Sequence, residues 1–340
     1  MNIRSIVGML CFLLCTAACS DDSERVAWTD FPREEQPVDE SEEDLPTVVE
    51  THGKLSICGK RLVDENGDPV QLRGVSYPWH NWWPGFFNAP SVKYFARQWQ
   101  CSVIRVPLGV EKDKGYLEQP EALEKYILPV VDAVIEAGVY VIIDWHAHEI
   151  HRNEATAFFD SMSRRYAGKP VLYEIFNEPW GDDNTWAEVK EYAVDIMTTI
   201  RKNDPKGIIL VGSPRWDTAI EDVQKDPITG FDNFAYTVHF YAKTTPDQWT
   251  AQFALDHDLP VFISECGGMS ADGQDDPDEA AWKGWVEWMK ANKVSWCAWT
   301  VPYFVEGGKT PETYKGAFYG WSESDLTDWG KMVREGIMDK

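Results

Sequence analysis

The sequence predicts an α/β protein whose folded part is one (β/α)8 barrel, a TIM barrel, with a short β-hairpin ahead of it. Eight short, almost wholly apolar runs follow one another along the chain. Amphipathic segments of helical periodicity separate them, and about 290 residues remain for this alternation once the first fifty are set aside. The competing architecture is an open doubly wound sheet, but no glycine-rich phosphate loop follows the first apolar run.

In chain order, residues 1–19 read as an export signal. Arg4 supplies a positive end, and residues 6–18 form an apolar run too short to span a bilayer. Cys15-Thr16-Ala17-Ala18-Cys19 resembles a bacterial lipobox, which implies cleavage before Cys19 and acylation of its sulfur. The alternative is an ordinary secretory signal cut near Ala18. Ser20-Asp21-Asp22-Ser23-Glu24 is similar to the acidic tag that sends some Gram-negative lipoproteins to the cell surface. The expected location is therefore outside the cytoplasm, on the outer membrane or cell surface, with membrane contact only through the lipid. Residues 20–50 carry twelve acidic and two basic side chains and three prolines. So little apolar surface cannot offset chain entropy, and this stretch is expected to be a disordered acidic linker, leaving residues 51–340 for the barrel.

The hairpin is expected at residues 55–58 and 61–63, turning at Gly59-Lys60, with Asn66-Gly67 marking the next turn. The eight strand candidates are residues 70–75, 102–107, 139–145, 171–176, 208–212, 236–240, 261–264 and 295–299. Helical patterns cover 121–137, 185–203, 246–256, 277–292 and 324–338. Outside the signal the cysteines are Cys58, Cys101, Cys266 and Cys297, whose spacing matches neither a zinc ribbon nor a disulfide scaffold; a single Cys58–Cys101 bridge is the one pairing left open.

The formal charge of −24 excludes a nucleic-acid binder, because phosphate must be met by cations. The chain holds 17 tryptophans, and aromatic faces stack on sugar rings, so a carbohydrate ligand is favoured.

Barrel chemistry sits where strands end and βα loops begin. The polar residues at those positions are Arg73, His146, Asn177 with Glu178, His239 with Tyr241, Glu265 and Trp299. Their placement at the ends of several strands, all on one face, is difficult to obtain with unrelated structural polars. His146 and His148 should alternate to opposite faces, which argues against a shared metal ion.

The segments Val70-Gln71-Leu72-Arg73-Gly74, Val141-Ile142-Ile143-Asp144-Trp145-His146, Ile175-Phe176-Asn177-Glu178-Pro179, His239-Phe240-Tyr241, Phe262-Ile263-Ser264-Glu265 and Gly320-Trp321-Ser322-Glu323-Ser324-Asp325-Leu326 together resemble glycoside hydrolase family 5, in its bacterial cellulase branch. The resemblance runs from about Lys54 to Ile337. It implies that Glu178 is the general acid/base and Glu265 the nucleophile of a retaining endo-β-1,4-glucanase acting on cellulose or a soluble β-glucan without a cofactor. It also implies His239 beside the acid/base, Asn177 on the sugar 2-hydroxyl, His146 lining the reacting subsite and Trp299 beneath the sugar. Trp82 matches a glycone-side platform and Trp216 a leaving-side one; Trp180 is a further candidate contact.

Chemistry supports the two glutamates independently, since a retaining glycosidase needs two carboxyl groups about 5–5.5 Å apart. Glu265 should be ionised, with Arg73 and Tyr241 favouring its charge, and Glu178 protonated beside that charge.

Three departures bear on specificity. Tyr77-Pro78-Trp79 stands where the family often has Thr-His-Gly, with His80 the candidate replacement; residues 300–306 keep Glu306 but lose a lysine expected to meet the distal sugar; and Cys266 replaces a tryptophan, as a small buried side chain or a site for thiol reagents. A mannanase, xyloglucanase or lichenase is the alternative within the family. A non-catalytic surface glycan-binding lipoprotein is the alternative outside it. The expected protein is a monomer lacking a separate carbohydrate-binding module.

Overall fold

A computed structural model describes residues 46–180, 184–273 and 275–339. The signal, Cys19 and the linker up to residue 45 lie outside the described residues.

The first described element corrects the linker boundary. Helix α1 (Val48–His52) begins inside the stretch expected to be disordered and ends two residues beyond it. Thr47 and Glu50 form a reciprocal capping box, Val49 N–H donates to Gly138 O at 3.0 Å, and Val48 and Val49 pack on the barrel floor. Two adjacent valines with a cap supply the apolar contact that anchors this turn to the barrel. Next comes the hairpin, β1 (Ser56–Cys58) against β2 (Arg61–Val63), its two-residue turn at Gly59-Lys60 accommodated by the positive φ of Gly59.

The eight strand positions are β3 (Arg73–Ser76), β4 (Val103–Gly109), β5 (Tyr140–His146), β6 (Val171–Glu174), β7 (Ile208–Val211), β8 (Phe234–Thr237) with its continuation β9 (Phe240–Tyr241), β10 (Val261–Gly267) and β11 (Trp296–Trp299). All pair in parallel, and β11 closes the barrel onto β3. Around them run α2 (Ala89–Gln98), α3 (Leu128–Glu136), α4 (Arg152–Arg165), α5 (Trp186–Asn203), α6 (Ile220–Lys225), α7 (Trp249–Asp256), α8 (Glu279–Asn292) and α9 (Asp328–Met338). The helix expected at 121–137 begins instead with a π-helical turn at Leu123–Ile127. Pro129, near the start of α3, has no N–H to continue a regular ladder there.

Strand alternation sorts the interior. On β5, Val141, Ile143 and Trp145 face the helices, whereas Tyr140 and Ile142 join Leu55, Leu62, Leu72, Val103, Leu172 and Phe262 in an apolar floor plugged by the hairpin. One step higher along the same strands the inward positions are polar: Ser76, Arg105, Asp144, Glu174 and Ser264, all with no solvent exposure. Gly74 permits the closest approach in this wall, since a Cβ there would stand 1.7 Å from Val103 O.

Two irregularities aim side chains into the mouth. The single strand expected at 236–240 is broken into β8 and β9, because His239 N–H leaves the ladder to donate to Asp217 O at 3.3 Å. In β10 the register against β11 shifts between Ile263 and Cys266. This irregularity lets consecutive residues Ser264 and Glu265 both meet barrel-interior groups while Cys266 rejoins the outer core. Cys58, Cys101, Cys266 and Cys297 are all free thiols, so the Cys58–Cys101 bridge does not form: Cys58 is exposed on the hairpin and Cys101 buried behind β4.

Candidate active site

The polar layer is organised by Arg105. Its Nε and Nη2 donate to the two oxygens of Glu174 at 2.7 and 3.0 Å. Nη2 also meets Asp144 at 2.9 Å and Asn177 Oδ1 at 2.6 Å, and Nη1 donates to Glu265 Oε2 at 2.9 Å. A planar fork satisfying three buried carboxylates is a task for arginine rather than lysine.

This corrects the expected role of Arg73. Leu72 and Ser76 face the barrel interior, so Arg73 faces outward, at the N-terminal end of β3, and caps the C-terminus of α9 through Gly336 O at 3.2 Å and Asp339 O. The cation beside Glu265 is Arg105, a residue lodged in the apolar run Val103–Gly109.

Above this layer stand the two glutamates, Glu178 after β6 and Glu265 in β10. Glu265 accepts from Arg105 on one oxygen and from the Tyr241 hydroxyl on the other, at 2.6 Å. A proton on either oxygen would displace a donor, so the geometry holds the ionised form, even though burial and the Glu178 charge push this carboxyl above its ordinary range.

Glu178 is met by two imidazoles. His239 Nδ1–H donates to Glu178 Oε1 at 3.0 Å. The other His239 nitrogen, Nε2, faces Ser264 Oγ at 2.9 Å and Asp217 Oδ2 at 3.3 Å. Because the Ser264 proton is committed to Glu174, at 2.7 Å, both His239 nitrogens donate and the ring is an imidazolium. On the other side, His148 Nε2 is 3.7 Å from Glu178 Oε2 and its Nδ1 3.5 Å from Glu111 Oε2. Burial alone would raise the Glu178 pKa, but these imidazoles outweigh it and bring it down to about 2. At neutral pH, therefore, the proton expected on Glu178 resides on its imidazole neighbours.

One nitrogen of His239 and one oxygen from each of Glu178 and Glu265 lie within 4.8 Å of one another. With both nitrogens donating, His239 has no lone pair for a cation.

His146 donates from Nδ1 to Asp144 Oδ2 at 2.7 Å, an oxygen that also accepts from Arg105. Burial keeps this ring neutral, leaving Nε2 as a hydrogen-bond acceptor. Asn177, only 1% exposed, gives its Oδ1 to Arg105, so its amide hydrogens are available as donors.

The expectation that His148 points away from His146 is overturned. Strand β5 ends at His146, the alternation stops there, and the two rings are 6.3 Å apart with Trp79 edge-on to one and stacked on the other. Trp82, Trp79, His148, Trp180 and Trp216 form a continuous aromatic run, with successive centroids 5.1, 5.6, 5.7 and 6.0 Å apart. Trp82, Trp180 and Trp216 are each more than two-fifths exposed at its surface. Trp299 lies parallel to the His146 ring at 5.4 Å. Trp216 is raised onto the rim by three consecutive left-handed residues, Arg215, Trp216 and Asp217, with its N–H donating to Pro179 O at 3.2 Å.

His80 is buried, accepts from Gly109 N–H and is depressed to about 4 by burial, so it sits behind the mouth wall and does not replace the missing histidine. Glu306 is exposed on the loop after the turn Val301–Phe304. Cys266 is fully buried, donates to Cys297 O, and its thiol pKa is pushed up, which removes it as a thiol-reagent site. Sequence reasoning gave no role in the site to Arg105, Asp144, Glu174, Ser264, Glu111 and His148. An arginine alone in an apolar strand was the available signal for the first.

A closed (β/α)8 barrel with two closely spaced carboxylates at its C-terminal mouth, set among sugar-sized aromatic surfaces, defines the class: a barrel glycoside hydrolase. The model of the family described as "Cellulase (glycosyl hydrolase family 5)" matches residues 63–304, and the chain belongs to that family. It is 37% identical over 308 residues to endoglucanase A of Butyrivibrio fibrisolvens, covering 87% of this chain and 70% of that protein. It is 35% identical over 299 residues to endoglucanase N of Pectobacterium atrosepticum, covering 86% and 67%. The catalytic domain of Thermobifida fusca endoglucanase Cel5A, solved in complex with cellotetraose, matches with a TM-score of 0.79 at 29% identity, over 86% of this chain and 100% of that one. Such curated relatives are longer proteins, of which this chain spans about two thirds.

Proposed function

We propose that the protein is a retaining endo-β-1,4-glucanase that cleaves internal bonds of cellulose or a soluble β-glucan by double displacement. The observation that carries this reading is the approach of one Glu178 oxygen and one Glu265 oxygen to within 4.8 Å at the barrel mouth, close enough for the two carboxyl groups to act on one glycosidic bond as acid and nucleophile. Glu265 attacks the anomeric carbon while Glu178 delivers a proton to the departing glycosidic oxygen. In the second half, water gives its proton to Glu178 and its oxygen to the anomeric carbon, and Glu265 is released as a carboxylate.

Arg105 and Tyr241 hold the nucleophile's charge and orientation, and His239 fixes Glu178. Asn177 N–H groups and His146 Nε2 supply a donor and an acceptor to the reacting sugar. Trp299 supplies its floor, Trp82 the glycone side, and Trp180 with Trp216 the leaving side. Glu306 meets a distal sugar. The endoglucanase relatives and the cellotetraose complex of one of them support a β-glucan ligand.

Export and lipid anchoring through Cys19 belong to the same proposal. They rest on residues 1–19, and loss of labelled fatty acid from Cys19→Ser tests them.

The activity is tested by reducing-sugar release from carboxymethylcellulose, lichenan, xyloglucan, glucomannan and mannan, with Glu265→Ala in parallel. Release from β-1,4-glucans that vanishes in the variant supports the reading. Cleavage of mannan alone overturns the substrate, and retention of glycans without release favours a binding protein.

A further inference from the structure

We propose that His148, standing between Glu111 and Glu178, is a positioning residue that stores the proton Glu178 delivers and so extends catalysis to higher pH. The inference rests on the reading of Glu178 as acid/base. Its basis is placement.

Four elements fix His148. Its backbone N–H donates to Glu111 Oε1 at 3.0 Å, and its carbonyl accepts from Trp180 N–H at 2.9 Å and from Asn184 Nδ2 at 3.1 Å. Its ring stacks on Trp79 with an interplanar angle of 16° and meets the Trp180 ring nearly perpendicular to it. Held this way, each nitrogen faces a carboxylate: Nε2 faces Glu178 and Nδ1 faces Glu111.

Glu111 is itself built for the task. One of its oxygens accepts from His148 N–H, Glu149 N–H and His151 Nε2, at 3.0, 2.8 and 3.1 Å, leaving the other to the His148 ring. Among the described residues, the remaining titratable or charged groups around His148 are His146 in β5, 6.3 Å away and neutral; His239, which occupies the other Glu178 oxygen; Glu265 beyond Glu178; and Lys112, above the far indole of Trp180. Two carboxylates adjoin the ring directly and, among the described residues, no cation does, so burial's disfavour for charge is outweighed and the imidazolium persists to about pH 9.

The chemistry balances within the pair. The imidazolium and carboxylate form exchanges with imidazole and carboxylic acid, and the acid form gives its proton to the glycosidic oxygen as the C1–O bond breaks and the Glu265–C1 bond forms. Water then restores one proton to Glu178 as it hydrolyses the ester, so the cycle consumes none. The pair donates for as long as it holds that proton, and a raised imidazole pKa moves its loss to higher pH.

The test uses the full chain with His148→Gln and Glu111→Gln. The alkaline limb of kcat/KM on a cello-oligosaccharide should move down by about one pH unit in His148→Gln, a loss of ~10-fold above that limb, and in the same direction by less in Glu111→Gln. On a dinitrophenyl cellobioside, whose leaving group needs no proton, the loss in each variant should be clearly smaller than on the cello-oligosaccharide. An unmoved limb, or equal losses on both substrates, overturns the proposal.

Nitrogen NMR of the imidazoles, with His148 assigned by its absence from His148→Gln, reads the same claim without turnover. The ring should remain protonated at pH 7.5 and lose its proton at lower pH in Glu178→Gln. A ring already neutral at pH 7 overturns the proposal, and does so even if the parent hydrolyses no β-glucan and the glucanase reading fails.

Discussion

Removing Arg105 tests the polar layer more severely than any other single change. Arg105→Met fills the space with a side chain of comparable length and leaves Asp144, Glu174 and Glu265, which are at most 4% exposed, with only the His239 imidazolium, 3.8 Å from Glu174, as a neighbouring cation. Breaking one buried ion pair costs about 3–5 kcal/mol, because the surviving charge stays desolvated. Here three carboxylates lose one partner, and proton uptake relieves part of the cost, so ~4 kcal/mol is the expected loss. At roughly 2–4 °C per kcal/mol for a domain of this size, the melting temperature falls by about 8–16 °C.

Arg105→Lys should recover only part of this, since a single ammonium cannot serve Glu174, Asn177 and Glu265 at once. Arg73→Met, which removes a cap on α9 from outside the barrel, is the control and should cost about 2 kcal/mol or less. Thermal and urea unfolding measure all three. An Arg105→Met protein within about 1 kcal/mol of the parent, or an Arg73→Met protein that loses as much as Arg105→Met, would refute the role of Arg105 in holding Glu265.

Tyr241→Phe removes a 2.6 Å charge-assisted hydrogen bond from Glu265 and should lower kcat/KM by ~10–100-fold with little change in stability, measured by steady-state kinetics and calorimetry. Trp180→Ala and Trp216→Ala should each raise KM for long cello-oligosaccharides by about 3–10-fold while leaving an aryl cellobioside, which lacks leaving-side sugars, nearly unaffected. Gly74→Ala should yield a protein that melts far lower or does not fold, because its Cβ would enter the Val103 carbonyl; circular dichroism of the purified variant decides this. The His148 pKa is raised in the folded protein to about 9 from its ordinary 6.5, so its stabilising contribution is complete below about pH 6.5 and is lost as pH rises through 9. The melting-temperature gap between parent and His148→Gln should therefore close across that window.

The barrel was legible because parallel strands buried on both faces read as apolar runs, and all eight emerge within a few residues of their expected positions. The carboxylates were legible because they follow such runs directly. Arg73 was misread because strand end and strand direction were inferred without the inward–outward alternation that Leu72 and Ser76 impose. Arg105 was hidden for the complementary reason: apolar neighbours disguise an inward charge whose partners lie 69 and 160 residues away in sequence. His148 was assigned by strand parity that ends two residues earlier, at the last residue of β5. The left-handed turn that lifts Trp216 onto the rim contains no glycine to announce it.

In the proposed reaction Glu265 forms a covalent glycosyl ester while Glu178 supplies the proton. Incubation with a dinitrophenyl 2-fluoro-cellobioside, which forms such an ester quickly and releases it slowly, followed by peptide mass spectrometry, tests this directly. One fluorosugar adduct is expected, on the peptide carrying Glu265 and absent from Glu265→Gln. An adduct on Glu178, or steady release of dinitrophenol with no adduct on any peptide, would contradict the claim.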